Sequence, residues 1–286
     1  MDATAAQKWT PFWHVDAATG DATPAYGVML CFAAAITLGM ELLSELVSAG
    51  VARAFARSPT LKPLPHNPKH HLDALEATDR AFIGCNKALT VVFVYHLVSL
   101  VLTADHIAWS PRDLTVANTF GALAAFFGVY DLFYGSFHCL LHFPSLYRFV
   151  HKHHHRQISP TRGNYDAINV HPFEFLVGEY LHLFVVWLIP CHVATVAAFI
   201  IVGGVLASLN HTRLDLDIPF FYSVKNHDIH HRWPRNNMGQ YCMLWDRVFG
   251  WYREYDVPRM FSADAKPLTR GESAPCVAEA NKAKRP

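Results

Sequence analysis

Charge is scarce in this sequence. Asp, Glu, Lys and Arg make up 16% of its 286 residues, against roughly 25% in an average soluble domain. The 24 basic and 23 acidic residues nearly cancel, so the basic footprint that nucleic-acid binding requires is missing. The six cysteines (Cys31, Cys85, Cys139, Cys191, Cys242, Cys276) include no CxxC pair. They read as reduced, mostly structural thiols, which excludes a secreted disulfide scaffold. There is no internal repeat and no coiled-coil heptad. The first 25 residues are polar and the first apolar run follows them, so no cleavable signal peptide is expected.

What replaces charge is apolar surface: 52% of the residues are hydrophobic and mean hydropathy is positive. Apolar runs lie at 26–51, 81–104, 116–137, 175–189 and 192–209. A membrane-spanning helix needs roughly 20 apolar residues, a length the first three runs meet. The last two are shorter and separated by Pro190 and Cys191, which suggests a tight hairpin entering and leaving from one side. The expected fold is all-α: an integral membrane helical bundle with about four to five membrane helices and a cytosolic, histidine-rich helical cap. The expected parts are a polar segment at 1–25, membrane helices with a cytosolic Pro-rich linker at 26–115, a histidine-rich domain at 116–260 and a disordered tail at 261–286.

Basic residues orient the bundle, because cytosolic loops carry the excess of Lys and Arg. Arg53, Arg57, Lys62, Lys69, Arg80, Arg148, Lys152, Arg156 and Arg162 fall with the histidines, and only Lys8 and Arg112 fall opposite. The N-terminus is therefore expected outside and the C-terminus in the cytosol. Lys282 and Lys284 resemble a dilysine retrieval signal of the endoplasmic reticulum.

The sequence holds 19 histidines, and three clusters stand out: His138 and His142 as HxxxH, then His151, His154 and His155 as HxxHH, then His227, His230 and His231 as a second HxxHH. On a helix, positions i, i+3 and i+4 share a face, so each cluster aims its imidazoles in one direction. Three such units supply eight nitrogens, and His211 and His171 bring the total to nine or ten. One zinc ion takes about four ligands, so eight or more histidines imply two metals. Imidazole suits Fe, Cu, Zn and Ni alike. Cys139 stands where an HExxH protease has its Glu base, and no Glu-x-x-His pair of the carboxylate di-iron type occurs. A metal-binding or metal-transporting membrane protein is the alternative class. His153 points off the ligand face, and His14, His66, His70, His71, His96, His106, His182 and His192 read as ordinary histidines. Metal-bound His usually gives its second N–H to a carboxylate or carbonyl; Asp131, Asp166, Glu174, Asp228 and Asp246 are the candidates, each equally a cap or surface charge.

In this order the clusters resemble those of the sterol desaturase and fatty acid hydroxylase superfamily. LYRFVHKHHH, INVHPFE and HDIHHRWPRNNMGQYCMLWDRVFGWYR resemble its connecting motifs, over about 116–252. The resemblance implies metal ligation by the eight clustered histidines, with His211 at the position of a further ligand and His171 either ligating or hydrogen-bonding behind a ligand. It implies two iron ions, O2 as cosubstrate, a lipid substrate, cytochrome b5 or a comparable electron donor, and an endoplasmic-reticulum membrane location. The implied activity is a sterol-type hydroxylase, C-4 methyl oxidase-like, with sterol desaturation or fatty acyl or sphingoid hydroxylation as alternatives. Cys139, where many sterol-acting members have Arg, and Asn237-Met238-Gly239, where NYG is usual, depart from the pattern.

Overall fold

A long apolar run satisfies its backbone in lipid only by closing hydrogen bonds on itself. In the computed structural model, which describes residues 10–16, 19, 21–65, 72 and 74–255, each such run is a helix. Helix α1 is Tyr26–Arg57, α2 is Ala77–Thr103 and α3 is Ala122–Leu141, entered through a π-helical turn at Ala117–Gly121. These three are long and apolar enough to cross a membrane. Leu38, Leu42 and Leu46 on α1 are each more than half exposed, a face that hydrocarbon rather than water suits. The chain is a mostly helical, multi-pass membrane protein.

Helices α4 (Pro172–Leu188) and α5 (Val193–Leu209) have 17 residues each, about 26 Å at 1.5 Å per residue. His171 and His192 cap them, each ring accepting from a backbone N–H two residues on, at 3.2 and 3.1 Å. Their turn reaches the end of the bundle where α2 finishes. There β3 (Ile107–Ala108) pairs in parallel with β4 (Cys191–His192), and Val186 O lies 3.1 Å from His106 Nε2. The hairpin therefore runs alongside α2 and α3 from the histidine end to the opposite end. At that opposite end a small antiparallel pair, β1 (Trp13–Val15) with β2 (Ala22–Pro24), precedes α1.

The buried core lies between α2, α3, α4 and α5, where Phe126 and Phe199 are fully buried with ring centroids 5.0 Å apart. At the histidine end, α2 begins in a reciprocal cap between Glu76 and Asp79. About two turns beyond Asp79, Asn86 Nδ2 donates to Ile168 O and Val170 O, which fixes the loop ahead of α4. Beyond α5, a short antiparallel pair, β5 (Asp217–Ile218) with β6 (Tyr222–Ser223), leads into α6 (Val224–Arg232). A loop and α7 (Leu244–Phe249) follow, and Trp245 Nε1 donates to Gly128 O on α3 at 2.7 Å. The cap is only partly α-helical: HKHHH is carried by a π-helical turn (Tyr147–His151) and a 3-10 turn (His154–Arg156), because Pro144 restarts the chain after α3. Residues 66–71 of the Pro-rich linker, and the 261–286 tail with its lysine pair, lie outside the described residues.

Candidate metal centre

Nine of the ten candidate histidines gather into two groups. His138, His142, His151, His155 and His230 form one; His154, His211, His227 and His231 form the other. Within each group one ring nitrogen of every member lies within 4.8 Å of the rest, and all nine side chains are buried.

On the α-helical clusters, helical geometry explains the division, and the first HxxHH, on its π-helical and 3-10 turns, divides the same way. Successive residues turn by about 100°, so i and i+4 nearly overlap while i+3 and i+4 diverge by about 100°. The i,i+4 pairs stay together: His138 with His142, and His151 with His155, in the five-membered group, and His227 with His231 in the four-membered one. The i+3 member crosses over, so His154 joins the four-membered group and His230 the five-membered one. Each HxxHH therefore serves both groups, where the spacing alone suggested a single aim.

The donor chemistry fits metal ions. Nε2–Nε2 separations are 3.0 Å for His138–His151, 2.9 Å for His155–His151, 3.1 Å for His230–His155 and 3.3 Å for His142–His230. In the second group His227 lies 3.0 Å from both His211 and His231. Two ligands at right angles, each about 2.1 Å from one ion, stand about 3.0 Å apart. Four of the opposite ring nitrogens are engaged, whereas those of His155 and His231 are buried without a hydrogen-bond partner: His138 Nδ1 lies 2.9 Å from Met238 O, His230 Nδ1 2.9 Å from Asn236 O and His211 Nδ1 2.9 Å from Ala207 O. His151 Nδ1 lies 2.8 Å from Glu174 Oε1. Donating there leaves bare Nε2 lone pairs turned inward, which repel one another unless a cation lies between them. Burial also holds His151, His154, His155, His227, His230 and His231 well below the ordinary 6.5, so these rings are neutral, the state in which imidazole can accept a metal.

Of the candidate supporting carboxylates, only Glu174 reaches a grouped histidine ring; the others organise backbone. Asp131 accepts from the N–H groups of Gln240, Tyr241 and Cys242. Asp246 accepts from Met238 and Gly239, so these two shape the loop whose Met238 carbonyl orients His138. Gly239 is required there, since a Cβ would stand 2.8 Å from both Asp246 Oδ2 and Cys242 O. Asp166 accepts from Thr161, Arg162 and the Arg162 side chain. Asp228 pairs with Arg213 and Arg232 and accepts from Tyr255. His171 stands apart from both groups as the cap of α4. His153 lies 2.9 Å from Asn169 Oδ1 and 3.0 Å from Asp79 Oδ1, tying the cap to α2.

A cavity opens from the second group into the bundle. His154, His211 and His227 line it with Tyr130, Tyr134, Glu174, Glu179, His182 and Tyr241. It shares Glu179, His182, Gly204 and Tyr241 with a second cavity that reaches Thr37 and Ser44 on α1 and Thr90 on α2. Glu179 and His182 carry no ligand spacing in the sequence; only their one-turn separation on α4 hints at a shared face.

The fatty acid hydroxylase family model matches residues 123–251. The chain is 32% identical over 145 residues to a Delta(7)-sterol 5(6)-desaturase of Eremothecium gossypii, covering 50% of this chain and 39% of that protein. It is 31% identical over 144 residues to methylsterol monooxygenase 1 of Gallus gallus, covering 45% and 46%. Against methylsterol monooxygenase 1 of Rattus norvegicus it is 29% identical over 129 residues, covering 42% of each. The chain thus spans less than half the length of these relatives. No solved structure matches it. Residues 123–251, which match the fatty acid hydroxylase family model, carry all nine grouped histidines, and this match together with the similarity to sterol desaturases and methylsterol monooxygenases supports the sterol desaturase and fatty acid hydroxylase superfamily.

Proposed function

We propose that the protein is an O2-dependent di-iron oxidase acting on a sterol-type lipid, with hydroxylation of a C-4 methyl group as the leading reaction. The observation that carries this reading is the pair of histidine groups beside a cavity that runs into a bundle of membrane helices. Two groups, of five and four neutral donors, suit two ions, and the similarity to a methylsterol monooxygenase favours sterol as the lipid class.

The chain's own part is to hold and to exclude. His138, His142, His151, His155 and His230 would hold one iron; His154, His211, His227 and His231 the other. Bound iron would supply the reduction of O2 and the removal of hydrogen from an unactivated carbon. Glu174 accepts the His151 N–H and offsets part of the metal charge, and the Met238, Asn236 and Ala207 carbonyls fix three more rings. Tyr130 and Tyr134 wall the cavity and keep water from the reacting carbon. Hydroxylation consumes the C–H bond, O2, two electrons and two protons, and yields C–OH and water, so a reductant is required. Cytochrome b5 or a comparable cytosolic donor fits that need, and the exposed Arg148 and Lys152 offer an acidic donor a landing face. The basic bias at the histidine end supports a cytosolic catalytic side in the endoplasmic-reticulum membrane.

Sterol desaturation is the second reading, favoured by the 32% identity to the Eremothecium desaturase. It uses the same O2, electrons and protons but yields C=C and two waters. Lipid mass spectrometry of cells with and without the protein separates the two. Hydroxylation gains about 16 Da and desaturation loses two hydrogens; an unchanged sterol profile contradicts both.

A further inference from the structure

Most polar groups in the cavity wall are already engaged. His182 Nδ1 lies 3.0 Å from Gly178 O, and its Nε2 lies 3.1 Å from Tyr241 Oη. Tyr130 Oη donates to Gly178 O at 3.4 Å. Lys87, on the α2 side, is paired with Glu41 at 2.7 Å. Glu179 differs. It lines both cavities, and its carboxyl makes no hydrogen bond to any described residue.

A carboxyl left without a partner when a lipid fills the cavity is costly. A purely hydrocarbon ligand would leave it so, and a fatty acid carboxylate would set like charge against it. A neutral hydroxyl both donates and accepts, so it suits either protonation state of the carboxyl. Glu174, five residues earlier on α4, touches His151 through Oε1 and leaves Oε2 buried without a partner. Helix α4 thus carries a carboxyl against a histidine of the proposed metal site and, about 7.5 Å further along the axis, an open one that lines the same cavity. In a steroid with a hydroxyl at C3, both C4 and C5 lie within two bonds of the hydroxyl-bearing carbon. A hydroxyl held on this wall would therefore keep those carbons close to His154, His211 and His227.

We propose that Glu179 anchors a hydroxyl of the substrate, making the cavity selective for a neutral, hydroxylated ring lipid over an acyl chain. This deepens the sterol reading above and rests on it. The test uses the full-length, iron-loaded protein in lipid nanodiscs and compares 4,4-dimethylcholest-7-en-3β-ol, which carries both the C-4 methyl groups and the C5–C6 bond, with the hydrocarbon 4,4-dimethylcholest-7-ene at equal mole fraction. Equilibrium binding is read with radiolabelled sterol, and turnover by mass spectrometry.

The wild-type protein should bind the alcohol about tenfold more tightly, as one hydrogen bond of roughly 1.4 kcal/mol gives. Glu179→Leu should lose that preference with its iron content unchanged, and Glu179→Gln should keep most of it. Equal binding of both sterols by the wild type, with oxidation still observed, overturns the anchor and leaves the sterol reading standing. A preference that survives in Glu179→Leu also overturns it. Should Glu179→Leu not fold, the wild-type comparison and Glu179→Gln decide. Neither binding nor oxidation of either sterol by the wild type overturns both.

Discussion

His151 shows how one residue serves two masters: Nε2 faces its group and Nδ1 meets Glu174. Glu174→Gln keeps the shape but removes the charge that strengthens the ring as a donor. Metal affinity should fall about 10- to 100-fold, read as metal retained against a chelator by mass spectrometry; unchanged retention would mean that Glu174 does not support the site. His154→Ala should abolish turnover and lower metal content, because His154 comes from the first HxxHH yet sits with His211, His227 and His231. Burial lowers the affinity for protons of the six rings outside the spans. Below about pH 6.5 the unfolded chain binds more protons than the folded one, so the fold loses stability as pH falls through that value. The metal-free protein should therefore melt at a lower temperature at pH 5.5 than at pH 7.5. Spacing made the histidines legible, but not their partition, which depends on the divergence of i+3 from i+4. Their outer partners were mostly hidden as well, because three are backbone carbonyls, which carry no signature in side-chain identity.

At the scale of elements, the loop at 238–242 is held by carboxylates from two helices, Asp131 on α3 and Asp246 on α7. Gly239→Ala would push a methyl against Asp246 and Cys242. We expect a loss of about 1–3 kcal/mol, read as a lower melting temperature, together with weaker metal retention through Met238 and His138. On α5, a Cβ at Gly203 would stand 2.8 Å from Tyr241 Oη. Gly203→Ala should therefore displace the Tyr241–His182 contact and slow turnover while metal content stays normal. The helices themselves were legible from hydropathy, and the NxGQY and WDR motifs pointed to the loop. The path of α4 and α5 was not: Pro190 announced the turn, but its docking beside 107–108 depends on a strand pair too short to leave a pattern.

Across the whole molecule, the chain joins a hydrocarbon-facing bundle to a buried polar centre at one end. Composition disclosed both halves, since scarce charge implied lipid burial and abundant histidine implied metal. The cavity linking them was not legible, because its walls come from α1, α2, α4 and α5 and close only in three dimensions. The central claim is that the two histidine groups hold iron for O2-dependent lipid oxidation. Metal analysis of the purified protein, coupled to O2 uptake with reductant and sterol, tests it most directly. Two irons per chain and O2 consumption that needs both reductant and lipid are the predicted result; a single exchangeable zinc with no O2 uptake would contradict it.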